Sequence, residues 1–162
     1  MGLYQMDQLE IAGGWINGLD LAPLPRGPHA SPRKVLERSL CRYLTRSPCV
    51  VAFSGGRDSS VVLATAVSVA RREGLPLPIP ITLTYPDSPN TEESDWQRRV
   101  LEYLGITERV VLTVHDEHDP VGPIATPLLR RHGLMCAPNF APTWRMMDVA
   151  RGGVLLTGEG GD

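Results

Sequence analysis

The sequence predicts an α/β fold, an open and mostly parallel sheet with helices on both faces, and three observations predict it. Segments with strand character alternate with segments of helical spacing along most of the chain. The strand segments are apolar throughout instead of alternating, as expected of strands covered on both faces. Two glycine-rich acidic stretches, SGGRDSS at 54–60 and TGEGGD at 157–162, each follow directly on a strand segment. In open parallel sheets ligands lie beyond the C-terminal ends of strands.

Residues 1–30 are rich in Gly and Pro, ending in APLPRGPHASP, and read as a lead-in or linker with little structure of its own; residues 31–162 read as the domain. Ser31-Pro32 is a helix start, a capping serine with proline at the first helical position, and Val35, Leu36, Leu40 and Tyr43 share a face of that helix. Cys49 to Phe53 is the first strand. Ser59 to Glu73 is a helix closed by Gly74. Ile79 to Tyr85, rich in β-branched and aromatic residues, is the second strand. Thr91-Glu92-Glu93 opens a helix that runs to about Leu104 and stops at Gly105, and residues 109–114 form the third strand. Shorter helices are expected over 121–132 and 142–150, and a fourth strand over 153–157.

At 162 residues the chain has one domain's length and enough material for a core. A formal charge of −2 and no basic block argue against a nucleic-acid partner. No apolar run is long enough to span a membrane, and the acidic start MGLYQMDQLE lacks the pattern of a signal peptide, so a cytoplasmic location is expected. Cys41, Cys49 and Cys136 are odd in number and carry no C-x-x-C spacing, which points to reduced thiols and not to disulfides or zinc.

The stretch VVAFSGGRDSSVVLA carries the first chemical signal. Gly55 and Gly56 let backbone N–H groups approach a ligand, Ser54, Ser59 and Ser60 add hydroxyls, and the following helix aims its positive end at the loop. These are the parts of a phosphate pocket, favoured over the plainer alternative of a tight strand-to-helix turn with a serine cap. Asp58 suits a phosphate site only with a divalent cation between carboxylate and phosphates. The chain has neither a G-x-x-x-x-G-K-[ST] loop nor G-x-G-x-x-G, and its single lysine, Lys34, lies well before the loop.

FSGGRDSS resembles the S-G-G-x-D-S-S pyrophosphate loop of the N-type ATP pyrophosphatases, the PP-loop superfamily. LLTGEGGD resembles the L-L-S-G-E-G-x-D segment of the asparagine synthetase family, which includes β-lactam synthetases and lasso-peptide cyclases. YPDSPNTEESDWQRRVLEYLG, between them, is similar to the family's stretch leading into its glutamate-bearing helix. The resemblance covers residues 34–162 and implies the adenine nucleotide alpha hydrolase-like fold.

Carried over residue by residue, it implies that Ser54, Gly55, Gly56, Ser59 and Ser60 hold the β- and γ-phosphates of ATP, and that Asp58 and Asp162 share Mg²⁺. Phe53 and Leu83 match positions on the adenine side, and Thr157 and Gly158 the ribose–adenine side. Glu159 matches the glutamate implicated in adenylate formation and in taking the amine's proton, a role a carboxylate can fill. Thr157 stands where the family has serine, and Arg57 where it has leucine.

The implied activity is ATP-dependent amide formation of the asparagine synthase (glutamine-hydrolysing) type. A small-molecule or peptide carboxylate is activated as an acyl-adenylate with loss of pyrophosphate, then attacked by ammonia or another amine. Lactam or lasso-peptide closure, and nucleotide binding without turnover, stay open beside it. The family's N-terminal cysteine and glutaminase domain have no counterpart before Lys34, and its D-E-x-F-x-G segment and lysine-bearing region have none before Asp162. The sequence therefore reads as the N-terminal part of a synthetase domain truncated at its C-terminus, with a separate C-terminal half or an ammonia source as expected partners.

Other features have plainer readings. His115-Asp116-Glu117-His118-Asp119 reads as a solvated loop instead of a metal cluster, and His132 as a helix-end residue. Trp144, Met146 and Met147 read as core, and Arg98-Arg99 and Arg130-Arg131 as exposed helix faces.

Overall fold

A computed structural model describes residues 6–13, 31–87, 94–115, 119, 121–134 and 140–159. Its contacts divide the chain into two compact units, Met1–His29 with Asp116–Trp144 and Ala30–His115 with Arg145–Asp162.

The second unit carries the sheet. Its elements are α2 (Pro32–Leu44), β1 (Cys49–Ala52), α3 (Arg57–Glu73), β2 (Ile79–Thr84), α4 (Ser94–Leu104), β3 (Val110–Thr113) and β4 (Val154–Leu156), together with the end of α6 (Phe140–Val149). The strands lie in the order β3-β2-β1-β4 and every pairing is parallel. Val51 stands opposite Pro80 on one side and Leu156 on the other. Pro80 cannot donate to a ladder, but the pairing of β2 with β3 begins one residue later, at Ile81 and Val110, so no bond to β3 is lost there.

Alternate residues of the strands supply two apolar layers. Cys49 packs with Leu40 and Leu44 of α2 and with Ala66, Val69 and Ala70 of α3. Val51 and Phe53 pack with Leu63 and Val67 of α3 and with Leu101 and Leu104 of α4. On the other face Val50 and Ile81 meet Met146, with Ala52, Leu83 and Leu155 alongside. The sheet is thus open and parallel with helices on both faces, as the sequence predicts, but edge strand β3 is covered on one face only, with Val111 44% exposed.

Several details differ from the sequence reading. The buried stripe of α2 runs through Leu36, Leu40 and Leu44. Val35 and Tyr43 are rotated off it, at 49% and 39% exposure, and the Tyr43 ring lies 5.9 Å from the Arg42 guanidinium carbon. Helix α3 starts at Arg57, two residues earlier than expected, because Gly56 takes an extended N-cap conformation. The proposed opening of α4 at Thr91–Glu93 lies outside the described residues, and Ser94 is its first described residue.

The first unit contains α1 (Gln8–Gly13), α5 (Ala125–His132) and the part of α6 up to Trp144. Helix α1 falls in the stretch read as lacking structure. The signal for it is Asp7-x-x-Glu10: the Asp7 N–H donates to the Glu10 carboxylate at 2.9 Å and the Glu10 N–H to the Asp7 carboxylate at 2.8 Å, a reciprocal capping box. The rest of residues 1–30, apart from Met6, lies outside the described residues. Residues 121–124 form turns, so α5 begins only at Ala125. His132 occupies its last turn, with its ring centroid 5.7 Å from that of Trp144.

Among the described residues no helix is long and apolar enough to cross a membrane, and no three His, Cys, Asp or Glu side chains converge as a metal site. His115 pairs with Asp87 at 3.2 Å, while residues 116–118 lie outside the described residues. Cys41 and Cys49 are free thiols, and burial pushes the Cys49 thiol above its ordinary pKa.

Candidate functional site

The site begins where β1 ends. The Phe53 N–H still donates to the Ile81 carbonyl at 2.8 Å, and the buried Thr82 hydroxyl donates to the Phe53 carbonyl at 3.0 Å. This end of the strand is therefore held through both of its backbone polar groups before the chain turns. Gly55 then takes φ +94°, a conformation that side chains oppose. The chain enters α3 through Gly56, with no side chain capping the first turn. Uncapped N–H groups at a helix start favour an anion, and here they open on a loop that can bring one close.

The three serines shape that loop. The Ser59 hydroxyl is the hub: it donates to the Gly56 carbonyl at 3.2 Å and accepts from the Ser54 N–H at 3.3 Å. Its single hydrogen is used on Gly56, so the 3.1 Å contact with the Ser54 hydroxyl is donated by Ser54. The Ser54 oxygen in turn accepts from the Gly56 N–H at 3.2 Å, and the Ser60 hydroxyl donates to the Gly55 carbonyl at 3.3 Å. The hydroxyls thus hold the turn in shape, but the N-cap is Gly56 and no serine caps the helix, so the serine-capped turn is not what forms.

The second loop closes on the first. A Cβ placed on Gly158 would stand 2.7 Å from the Ser59 amide nitrogen and 2.9 Å from the Asp58 carbonyl carbon. Only glycine lets the second residue after β4 lie this close to the start of α3. Between the loops and the end of β2 lies a cavity of about 490 Å³, within the usual range for small-molecule sites.

Phe53, Ser54, Gly56, Asp58 and Ser59 line the cavity from the first loop, Leu83 from β2, and Gly158 and Glu159 from the second loop. The structure therefore gathers eight of the residues predicted from sequence around one space. Gly55 and Ser60 belong to the loop's hydrogen-bond net, and Thr157 directly follows β4. Asp162 lies outside the described residues. Arg57 is exposed and does not line the cavity.

Sequence reasoning missed other lining residues. Tyr85 follows β2, and its position at the C-terminal end of a strand was the available signal. Burial pushes its phenol above the ordinary pKa, so it presents a neutral hydroxyl at pH 7. Met146, read as core, is buried but also reaches the cavity, whereas its neighbour Met147 is 40% exposed. Gln97 carried no sequence signal.

Among the described residues of the lining, Asp58 and Glu159 are charged and none is Lys or Arg. Carboxylates alone repel a polyphosphate; a glycine-rich loop, an uncapped helix start and a carboxylate suit one accompanied by a divalent cation. This donor set fits Mg²⁺-bound nucleotide, and among the described residues Asp58 would be the carboxylate placed to meet the cation.

Comparison with known proteins supplies the relationship. The chain matches the asparagine synthase family over residues 32–162. It belongs to that family. No curated protein gives a significant match. Among solved structures, an NAD⁺ synthetase from Burkholderia pseudomallei is similar at 22% identity and a TM-score of 0.40, covering 76% of this chain and 59% of that one. The asparagine synthase family match includes both loops of the cavity, from Phe53 to Glu159.

Proposed function

We propose that this chain activates a carboxylate with ATP for amide-bond formation. The observation that carries the reading is the approach of Gly158 to the Ser59 amide, which joins both family loops over a cavity of nucleotide size. In this reading Ser54, Gly55, Gly56, Ser59 and Ser60 cradle the β- and γ-phosphates. Phe53 and Leu83 face the adenine, with Thr157 and Gly158 toward the ribose. Asp58 and Asp162 would hold Mg²⁺, which supplies charge neutralisation for the phosphates when bound.

The carboxylate of a small molecule or peptide attacks the α-phosphate, the bond to the bridging oxygen breaks, and pyrophosphate leaves. An amine then attacks the acyl carbon, Glu159 takes its proton, and AMP departs with one oxygen of the original carboxylate. The chain's own contribution is positioning and orientation of the phosphates, together with the base. The free thiols Cys41 and Cys49 suit a reducing cytoplasm.

The test uses ¹⁸O in the carboxylate. The full chain is incubated with Mg-ATP, labelled aspartate and ammonium, and phosphorus species are followed by NMR and mass spectrometry. Pyrophosphate and ¹⁸O-labelled AMP are expected. Label in inorganic phosphate with ADP as the other product would contradict the adenylate.

A further inference from the structure

Gln97 on α4 is a polar side chain buried to 6% exposure that nevertheless borders the cavity. Its Nε2 donates to the Ser54 carbonyl at 2.8 Å, and its Oε1 accepts from Arg109 at 3.0 Å. The amide orientation is forced, because a carbonyl can only accept and a guanidinium can only donate. A terminal amide offers both functions side by side. A carboxylate in its place would set oxygen against the Ser54 carbonyl, and an apolar side chain would leave that carbonyl without this donor.

The bond reaches the loop at its pivot. The Ser54 carbonyl and the Gly55 N–H share one planar trans peptide, so fixing the carbonyl toward Gln97 turns the Gly55 N–H the opposite way. Gly55, with positive φ, has little intrinsic preference to hold that plane by itself. The serine hydroxyls bind Gly56, Ser54 N and the Gly55 carbonyl, but none of these bonds reaches the Ser54 carbonyl.

We infer that Gln97, oriented by Arg109, is a positioning residue that sets the first peptide of the phosphate loop. The inference rests on the ATP reading of the cavity and deepens it. The pair connects α4 and the start of β3 to the loop, elements that sequence reading gives no reason to associate with phosphate.

Gln97→Glu is nearly isosteric, keeps the acceptor for Arg109 and removes the donor to Ser54. Arg109→Leu keeps the donor and frees the amide oxygen, and Arg109→Lys restores a cationic partner. Each full chain is checked for folding by circular dichroism and titrated calorimetrically with Mg-ATP, Mg-pyrophosphate and AMP, which lacks the β- and γ-phosphates. Loss of one hydrogen bond should weaken Mg-ATP and Mg-pyrophosphate about tenfold in Gln97→Glu. Arg109→Leu should weaken both about threefold, Arg109→Lys should bind as the natural chain does, and AMP affinity should stay constant throughout. A residue that merely stabilises the fold would lower all three affinities together, and that result overturns the inference. So does unchanged pyrophosphate binding in Arg109→Leu, should Gln97→Glu fail to fold. If the natural chain binds Mg-ATP but the Gln97 and Arg109 variants match it, this inference fails alone. If the natural chain binds neither Mg-ATP nor Mg-pyrophosphate, the ATP reading fails and takes the inference with it.

Discussion

Gly158 lies against the first turn of α3 so closely that a Cβ on it would be 2.7 Å from the Ser59 amide nitrogen. The loop after β4 and the loop after β1 are far apart in sequence, yet this contact makes them two lips of one cavity. It depends on the register that sets Val51 beside Leu156, which brings both strand ends to the same level.

Gly158→Ala therefore forces a methyl group onto backbone that cannot swing aside. Overpacking of this kind costs about 1–3 kcal/mol. Urea unfolding should show that loss, and Mg-ATP affinity should fall with it as the lips are pushed apart. Natural stability and affinity in this variant would mean that the contact is not made in solution.

Ser59→Ala removes the hub of the loop, leaving the Ser54 N–H and the Gly56 carbonyl without the partner that joins them. A stability loss of about 1–2 kcal/mol is expected. The effect on Mg-ATP binding should be larger than that of removing Ser60, whose hydroxyl makes the single bond to Gly55. Thermal melts and calorimetric titrations of the two variants check the order.

Much of the sheet was legible in the sequence because its strands announce themselves. Val50, Val51 and Ile81 are fully buried, and a strand covered on both faces reads as a near-continuous apolar run, with Thr82 buried only because its hydroxyl bonds the Phe53 carbonyl. The two loops were legible for a different reason: Gly55, with positive φ, and Gly158, with its close approach to α3, occupy positions that limit the residue type, so the motif and the geometry are one constraint. Gln97 was not legible. A glutamine in an amphipathic helix looks solvated, and only the fold brings Arg109 and the Ser54 carbonyl to it. Val35 and Tyr43 were misplaced because neighbouring helical positions differ by only 100°, and periodicity alone does not fix the centre of a stripe.

Leu63 and Val61, two residues apart on α3, should behave oppositely. Leu63 is fully buried among Val51, Phe53, Val67 and Leu101, whereas Val61 is 55% exposed. Leu63→Ala should cost about 2–5 kcal/mol, and Val61→Ala should stay within about 0.5 kcal/mol. Equilibrium unfolding of both variants tests whether α3 presents this face to the sheet.

Glu37 joins α2 to α3 through Arg72 at 3.0 Å and also pairs with Arg33 at 2.8 Å. Hydrogen bonds from Arg33, then from Arg72, hold its carboxyl below the ordinary value of 4.5. A carboxyl whose folded pKa is depressed contributes stability above its unfolded pKa and loses it as pH falls through the folded one. Glu37→Gln should therefore be less stable than the natural chain at neutral pH, the two should converge in acid, and added salt should narrow the gap. Unfolding curves across pH at low and high salt check the sign.

The central claim is that SGGRDSS forms a metal-assisted phosphate cradle, and calorimetric titration of Mg-ATP into the natural chain and its Asp58→Ala variant tests it most directly. The account predicts saturable binding to the natural chain that requires the metal and is abolished or weakened more than about tenfold in Asp58→Ala, a loss of at least one charge-assisted contact. A folded natural chain that fails to bind, or an Asp58→Ala variant that binds equally well, would contradict it.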